Sequence, residues 1–172
     1  NEIQHGKKIA AQAEKIWNWD SPAGRKRAHR RPDYIVSMGK FNKTDQLLEI
    51  GCGTGIFTEK VFNATGADII AVDISEELLD QAKEKIKQVS FQTANAMDMK
   101  FGDNSFHGVY GSSVLHHLET EPSLKEIFRV LKKGGKMVFA EPNMLNPQIL
   151  IERKVGFVKG WLGISPDETA IV

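Results

Sequence analysis

The chain has 172 residues, 41% of them hydrophobic and 26% charged, with a formal net charge of +1. That is enough apolar material for one globular domain with a core, and it excludes a fibre, a disordered tail or a protein that attracts nucleic acid through its overall field. No apolar run approaches the roughly 20 residues of a membrane-spanning helix and no signal-peptide pattern opens the chain, so the expected location is cytoplasmic.

The charge is unevenly spread. Residues 1–41 hold nine Lys/Arg against four Asp/Glu, and the rest holds 14 against 18. A basic leader therefore precedes a mildly acidic body. In the leader, Ser21 and Pro22 make a helix start, and Pro32 is expected to break that helix or begin another, which leaves "AGRKRAHRR" as a short helix bearing Arg25, Lys26, Arg27, Arg30 and Arg31. Trp17 and Trp19 stand just before it.

Short strands and helices then alternate, the pattern of a parallel sheet covered by helices on both faces. "QLLEI" (46–50) is the first strand, and "IFTEKVFNAT" (56–65) a helix stopped by Gly66. "DIIAVDI" is a second strand buried on both faces, followed by a helix with Ser75 at its cap and Leu78, Leu79, Ala82 and Ile86 facing inward. "VSFQTANA" and "HGVYGSSVL" are the third and fourth strands. "SLKEIFRVLKK" reads as a helix with Leu124, Ile127, Phe128 and Leu131 inward, ending at Gly134-Gly135, and "KMVFAEP" as the fifth strand. One more helix is expected in the segment that follows.

Cys52 is the single cysteine, so no internal disulfide or zinc cluster is available and no metal site is expected; inside a glycine run it reads as a small filler residue. Around it, Gly51, Gly53 and Gly55 form a turn between a strand and a helix start, where bare backbone lets a ligand approach amide N–H groups. A dinucleotide fingerprint wants a glycine where Ile56 stands, and a P-loop wants Gly-Lys-Ser/Thr; both are missing. Asp73 lies 22 positions after Gly51, where an acid can accept hydrogen bonds from ribose hydroxyls. A helix-capping role for Asp73 is the alternative, disfavoured here because Ser75 can cap.

The pattern Glu49-Ile-Gly-Cys-Gly-Thr-Gly55, with "AVDIS", "ANAMDMKFGDNSFHGVYGSSVLHHL" and "RVLKKGGKMVFAEPN" in order behind it, resembles the class I S-adenosylmethionine-dependent methyltransferases, in the broad subgroup that includes quinone-biosynthesis enzymes. The resemblance covers residues 42 to about 143. It implies a Rossmann-like, doubly wound, mostly parallel sheet that binds S-adenosylmethionine and releases S-adenosylhomocysteine. By motif position it implies that Glu49 anchors the methionine amino group, that Gly51, Cys52, Gly53, Gly55 and Ile74 line the cofactor, and that Asn95 and Ala96 contact adenine. Asp98 is a second candidate for the adenine edge, with loop capping as its alternative. Ser112 lies at the carboxyl end of the fourth strand, where open α/β sheets bind ligands.

Methyl transfer by in-line displacement needs alignment more than a nucleophilic residue. Where the acceptor is a hydroxyl or an acidic carbon a base helps, and His116 and His117 are the candidates. Trp19, Arg25 and Arg30 are the candidates for holding the acceptor, expected to be a small molecule, with an anionic group as the partner the arginines suit. The leader (1–41) is expected to fold as a lid over a cofactor domain (42–172). The place that carries an Asn/Asp/Ser-Pro-Pro-aromatic signature in amino-methylating nucleic-acid enzymes reads "SSVLHH", which counts against methylation of a base amine and leaves other nucleic-acid chemistry open; nucleic acid is not the expected partner. The alternatives are an RNA or protein methyltransferase that uses the basic helix, and a cofactor-binding regulatory subunit without turnover. The family's sheet has two further antiparallel edge strands, and the sequence leaves little room for them, so either it is a fragment or that edge is reduced. Acceptor atom and oligomeric state are not legible.

Overall fold

The computed structural model describes residues 12–143; the helix expected beyond them lies outside the described residues. Two helices come first: a single turn, α1 (Ala13–Ile16), and α2 (Pro22–Gly39). Then follow β1 (Gln46–Ile50), α3 (Ile56–Thr65), β2 (Asp68–Asp73), α4 (Glu76–Lys85), β3 (Ser90–Thr93), β4 (Phe106–Ser112), α5 (Thr120–Val130) and β5 (Leu131–Ala140). The five strands form one sheet in the order β3-β2-β1-β4-β5. All four pairings are parallel, with Leu47 opposite Ile69 on one side of β1 and opposite Gly108 on the other.

Alternation along the strands splits the core in two. Leu47 faces one layer with Ile35 of α2, Val61 of α3 and Leu79 and Ala82 of α4, while Leu48 and Ile50 face the other with Ile127 and Val130 of α5. The sheet order reverses direction at β1, with β2 and β3 to one side and β4 and β5 to the other. The carboxyl ends of β1 and β4 therefore bound the crevice in which such sheets hold ligands.

Several elements differ from the sequence reading. α2 does not break at Pro32 but runs through it from its cap, where Ser21 Oγ accepts from Gly24 N–H at 3.0 Å. A helical proline removes the N–H that would bond the carbonyl four residues earlier. Here that carbonyl, Ala28 O, accepts from Lys60 Nζ of α3 at 2.9 Å, so the orphaned group is satisfied from a neighbouring helix.

α5 ends at Val130 rather than Lys133, and its buried face is Ser123, Ile127 and Val130. Leu124 and Phe128 sit one position, about 100°, round from that face, and Phe128 is 82% exposed instead of buried. Leu131 already belongs to β5, which starts earlier than expected and is irregular there, with Gly134 at φ 81° and a register shift between Phe106 and Gly108. The helix over 56–65, its Gly66 stop at φ 64° and the inward set Leu78, Leu79, Ala82 and Ile86 match the sequence reading.

Candidate functional site

The turn between β1 and α3 sits over the crevice. Gly51, Gly53 and Gly55 have φ of 70°, 52° and 82°, a region in which side-chain-bearing residues are strained. A Cβ at Gly51 would run into Val114, and one at Gly53 would lie 3.1 Å from the Trp17 ring. The N–H groups of Gly51 and Cys52 both bond Val72 O, that of Gly53 donates to Asp73 Oδ2 at 2.8 Å, and that of Gly55 bonds Cys52 O. These four amides serve the turn itself. Cys52 is buried, and burial pushes its thiol well above the ordinary range, which suits a filler and not a nucleophile.

Two carboxylates flank the turn. Asp73, at the end of β2, holds the glycine loop through Oδ2 and accepts from Ser75 N–H through Oδ1 at 3.0 Å. Ser75 occupies the cap position of α4, but its hydroxyl bonds Glu77 instead of the helix backbone. Part of the capping given to Ser75 thus falls to Asp73; an ionised carboxylate still has about four acceptor positions and so serves the turn and a ligand together. Glu49 is 1% exposed and accepts from Tyr110 Oη at 3.0 Å. Burial pushes its pKa up to about 7, against the lowering effect of the Tyr110 hydroxyl and with help from the charge of Asp73. Ile74 is exposed beside Asp73.

After β3, Asn95 opens a tight turn: its Oδ1 accepts from Met97 N–H and its backbone O from Asp98 N–H, both at 3.0 Å. Ala96 is buried, whereas Asp98 is exposed and holds Lys100 Nζ at 2.7 Å. Loop capping in this turn is performed by Asn95, and Asp98 forms a surface ion pair.

The carboxyl ends of β4 and β5 bring together residues far apart in sequence. Arg31 Nη1 donates to Ser112 Oγ at 2.9 Å and to Ser113 Oγ at 2.5 Å, and its guanidinium lies 5.4 Å from the centre of the Trp19 ring. Arg25 and Arg30, the arginines singled out from sequence, are exposed and bond locally, to Asp20 O and to Tyr34 Oη. The arginine delivered to the strand ends is Arg31. Trp19 packs edge-on against Phe57 at 5.3 Å with Arg27 on its face as well, so it belongs to a stacked cluster. An open groove of about 670 Å³ between α2 and β5 is lined in part by Arg31, Tyr34, Met38, Phe139 and Glu141.

His116 and His117 form a short 3₁₀ turn (Leu115–His117) with their rings 4.2 Å apart. His116 is 3% exposed, and its Nδ1 lies 2.6 Å from Glu141 Oε2. The other oxygen of Glu141 accepts from Val114 and Leu115 N–H at 3.0 and 3.1 Å. Burial pushes the Glu141 carboxyl up, but His116 and those two N–H groups outweigh it and hold it below the ordinary range. Glu141 escaped the sequence reading; the signal was an acid at the carboxyl end of a predicted strand, in "VFAEP". Glu14 of α1 also escaped. It accepts from Thr54 Oγ1 on the glycine turn at 3.0 Å and from Lys85 Nζ at 2.7 Å, while Trp17 and Ala13 pack on Leu78.

The donor set decides what suits the crevice. With the amides of Gly51, Cys52, Gly53 and Gly55 bonded within the protein, the two carboxylates beside the turn are the groups that fit hydroxyls and cationic groups. No cluster of His, Cys, Asp and Glu among the described residues is arranged to hold a metal, and no helix among them is long and apolar enough to cross a membrane.

Comparison with known proteins identifies the family. Residues 48–139 match the family described as a methyltransferase domain. The chain is 34% identical over 116 residues to a demethylmenaquinone methyltransferase of Symbiobacterium thermophilum, covering 62% of this chain and 46% of that one. It is 35% identical over 104 residues to the O-methyltransferase cnsE of Penicillium expansum, covering 56% and 38%. The structure of the PH0226 protein of Pyrococcus horikoshii superposes with a TM-score of 0.65 at 27% identity, covering 77% of this chain and 65% of that one. In those two curated enzymes the match spans less than half of the relative's own length. By sequence and fold, the chain belongs to the methyltransferase-domain family of the class I S-adenosylmethionine-dependent enzymes.

Proposed function

We propose that this chain carries the cofactor site, and part of the acceptor site, of a methyltransferase that moves a methyl group from S-adenosylmethionine to an O, N or C atom of a small anionic molecule. The observation that carries the reading is the pair of carboxylates, Glu49 and Asp73, set about a glycine turn whose own amides are already bonded. Asp73 takes the ribose hydroxyls, Glu49 the methionine ammonium, and the Asn95-Ala96 turn the adenine edge, with Asp98 beside it. Gly51, Cys52, Gly53, Gly55 and Ile74 shape the wall. When bound, the cofactor supplies an electrophilic methyl group on a sulfonium.

The β4–β5 end handles the acceptor. Arg31, steadied by Ser112 and Ser113, offers a charge-assisted donor to a carboxylate or phosphate. Glu141 receives Nδ1–H of His116, which makes Nε2 the nitrogen that accepts a proton from an acceptor hydroxyl or acidic carbon. The strap from Ala13 to Trp19, tied to the turn by Glu14, serves as the lid that excludes water.

Calorimetric titration with S-adenosylmethionine and S-adenosylhomocysteine, with NAD as control, tests the cofactor reading. Micromolar binding of the first two and none of NAD is the expected result; the absence of binding by a folded sample sinks it. A screen of anionic small molecules with methyl-labelled cofactor then tests the acceptor class. Label transferred only to RNA or protein would replace it with the polymer reading.

A further inference from the structure

Between β3 and β4 the chain runs from Ala94 to Ser105 without a helix or strand, so the main-chain groups in its middle need partners from outside the sheet. Glu126 and Arg129, three positions apart on α5, supply partners. Glu126 Oε2 accepts from Met99 N–H at 2.9 Å, and Arg129 Nη2 donates to Met99 O at 2.9 Å, so both sides of one residue are held by one side-chain pair. Arg129 Nη1 donates to Phe101 O at 2.8 Å and to Asp103 Oδ1 at 2.7 Å. Nε and Nη2 return to the two Glu126 oxygens, each at 2.8 Å. All five N–H groups of the guanidinium are thereby used, in the fork geometry that lysine cannot reproduce. The pairing with Arg129 holds the Glu126 carboxyl below its ordinary range.

Met99 follows directly on the Asn95–Asp98 turn and is itself 3% exposed. The turn is fixed on its near side where Ala94 N–H bonds Asp73 O at 3.1 Å, and on its far side by the clamp on Met99. We propose that Glu126 and Arg129 are positioning residues that set the depth and angle of this turn, and through it the discrimination of a 6-aminopurine from a 6-oxopurine. The proposal rests on the reading of the crevice as an S-adenosylmethionine site. Its physical basis is that a base edge read by an N–H and an amide oxygen tolerates a misplacement of only about 0.5 Å before its hydrogen bonds are lost, and an edge that mismatches leaves buried polar groups unpaired.

The test compares the affinities of S-adenosylhomocysteine and S-inosylhomocysteine, which differ at the purine 6-position, in the wild type and in Arg129→Ala, Arg129→Lys and Glu126→Gln, with circular dichroism to confirm the fold. The wild type should favour the adenine ligand. In Arg129→Ala that preference should fall by about tenfold or more, a change of roughly 1.4 kcal/mol, with the inosine ligand much less affected, and Arg129→Lys should restore little of it. An unchanged preference in folded variants, both ligands weakening together or not at all, overturns the clamp and leaves the cofactor reading standing. If Arg129→Ala does not fold, Glu126→Gln and Arg129→Lys carry the same comparison. A wild type that binds neither ligand overturns the cofactor reading and this proposal with it.

Discussion

The two halves of the sheet's carboxyl edge are built by different means. On the β1–β2–β3 side, the acid Asp73 is tied to main-chain N–H groups 20 and two positions away, and the glycines are constrained by their own backbone angles. On the β4–β5 side, side chains meet across long stretches of sequence: Arg31 reaches Ser112 over 81 positions, and His116 meets Glu141 over 25. The first half is a cradle whose glycine turn is held by main-chain bonds and whose outer turn is clamped by Glu126 and Arg129. The second is assembled by tertiary packing between elements distant in sequence. One fixed ligand and one variable ligand would ask for this division.

The largest expected effect breaks the cradle through its buried acid. Glu49 ordinarily titrates near 4.5 and is raised to about 7 in the folded protein. A raised carboxyl means that the folded state holds its proton more tightly, so the contribution of Glu49 to stability is greatest below pH 4.5 and is lost as pH rises through 7. The full loss is about 3 kcal/mol. Urea unfolding at pH 5 and pH 8 should show that fall in the wild type and a much flatter profile in Glu49→Gln; equal profiles would mean that the carboxyl is not held neutral. Next, Asp73→Ala removes the acceptor of Gly53 and Ser75 N–H together with the proposed ribose contact, and should weaken S-adenosylhomocysteine by about fiftyfold. Calorimetry showing unchanged affinity would end the ribose assignment.

The other half should respond without moving cofactor affinity. Glu141→Gln retains an oxygen for Val114 and Leu115 N–H but presents an amide to His116, so the ring should exchange its Nδ1–H tautomer for the other. Imidazole ¹⁵N NMR reads this directly, and cofactor affinity should stay within about twofold. Smaller still, Arg31→Ala should lower stability by about 1 kcal/mol through lost bonds to Ser112 and Ser113, while Arg30→Ala stays within about 0.5 kcal/mol. Thermal melts that rank the two arginines the other way would contradict the division drawn above.

That division also accounts for what could be read in advance. β1, α3 and its glycine stop were legible to the residue because their determinants are adjacent in sequence: an apolar run, a glycine turn, an amphipathic helix and Gly66. Asp73 was legible by spacing. Arg31 was not separable from Arg25 and Arg30, since only the packing of α2 on β4 and β5 decides which arginine faces the strand ends. Glu141 was marked only by its place at the end of a predicted strand, and its partners are supplied by the turn after β4. For α5, two adjacent apolar sets satisfy helical periodicity, and the sheet buried the one containing Ser123, Ile127 and Val130.

The lysine that satisfies Ala28 O has an effect on how the sequence can vary. A proline within α2 is tolerated because a side chain 32 positions from that carbonyl stands in for the missing amide, so residues 32 and 60 behave as one position. Loss of Lys60 should be costly beside Pro32 and nearly silent in a Pro32→Ala background. A sequence can therefore drift through the alanine with either partner, but only with Lys60 can it acquire the proline while keeping α2 continuous and Arg31 at the mouth of the crevice.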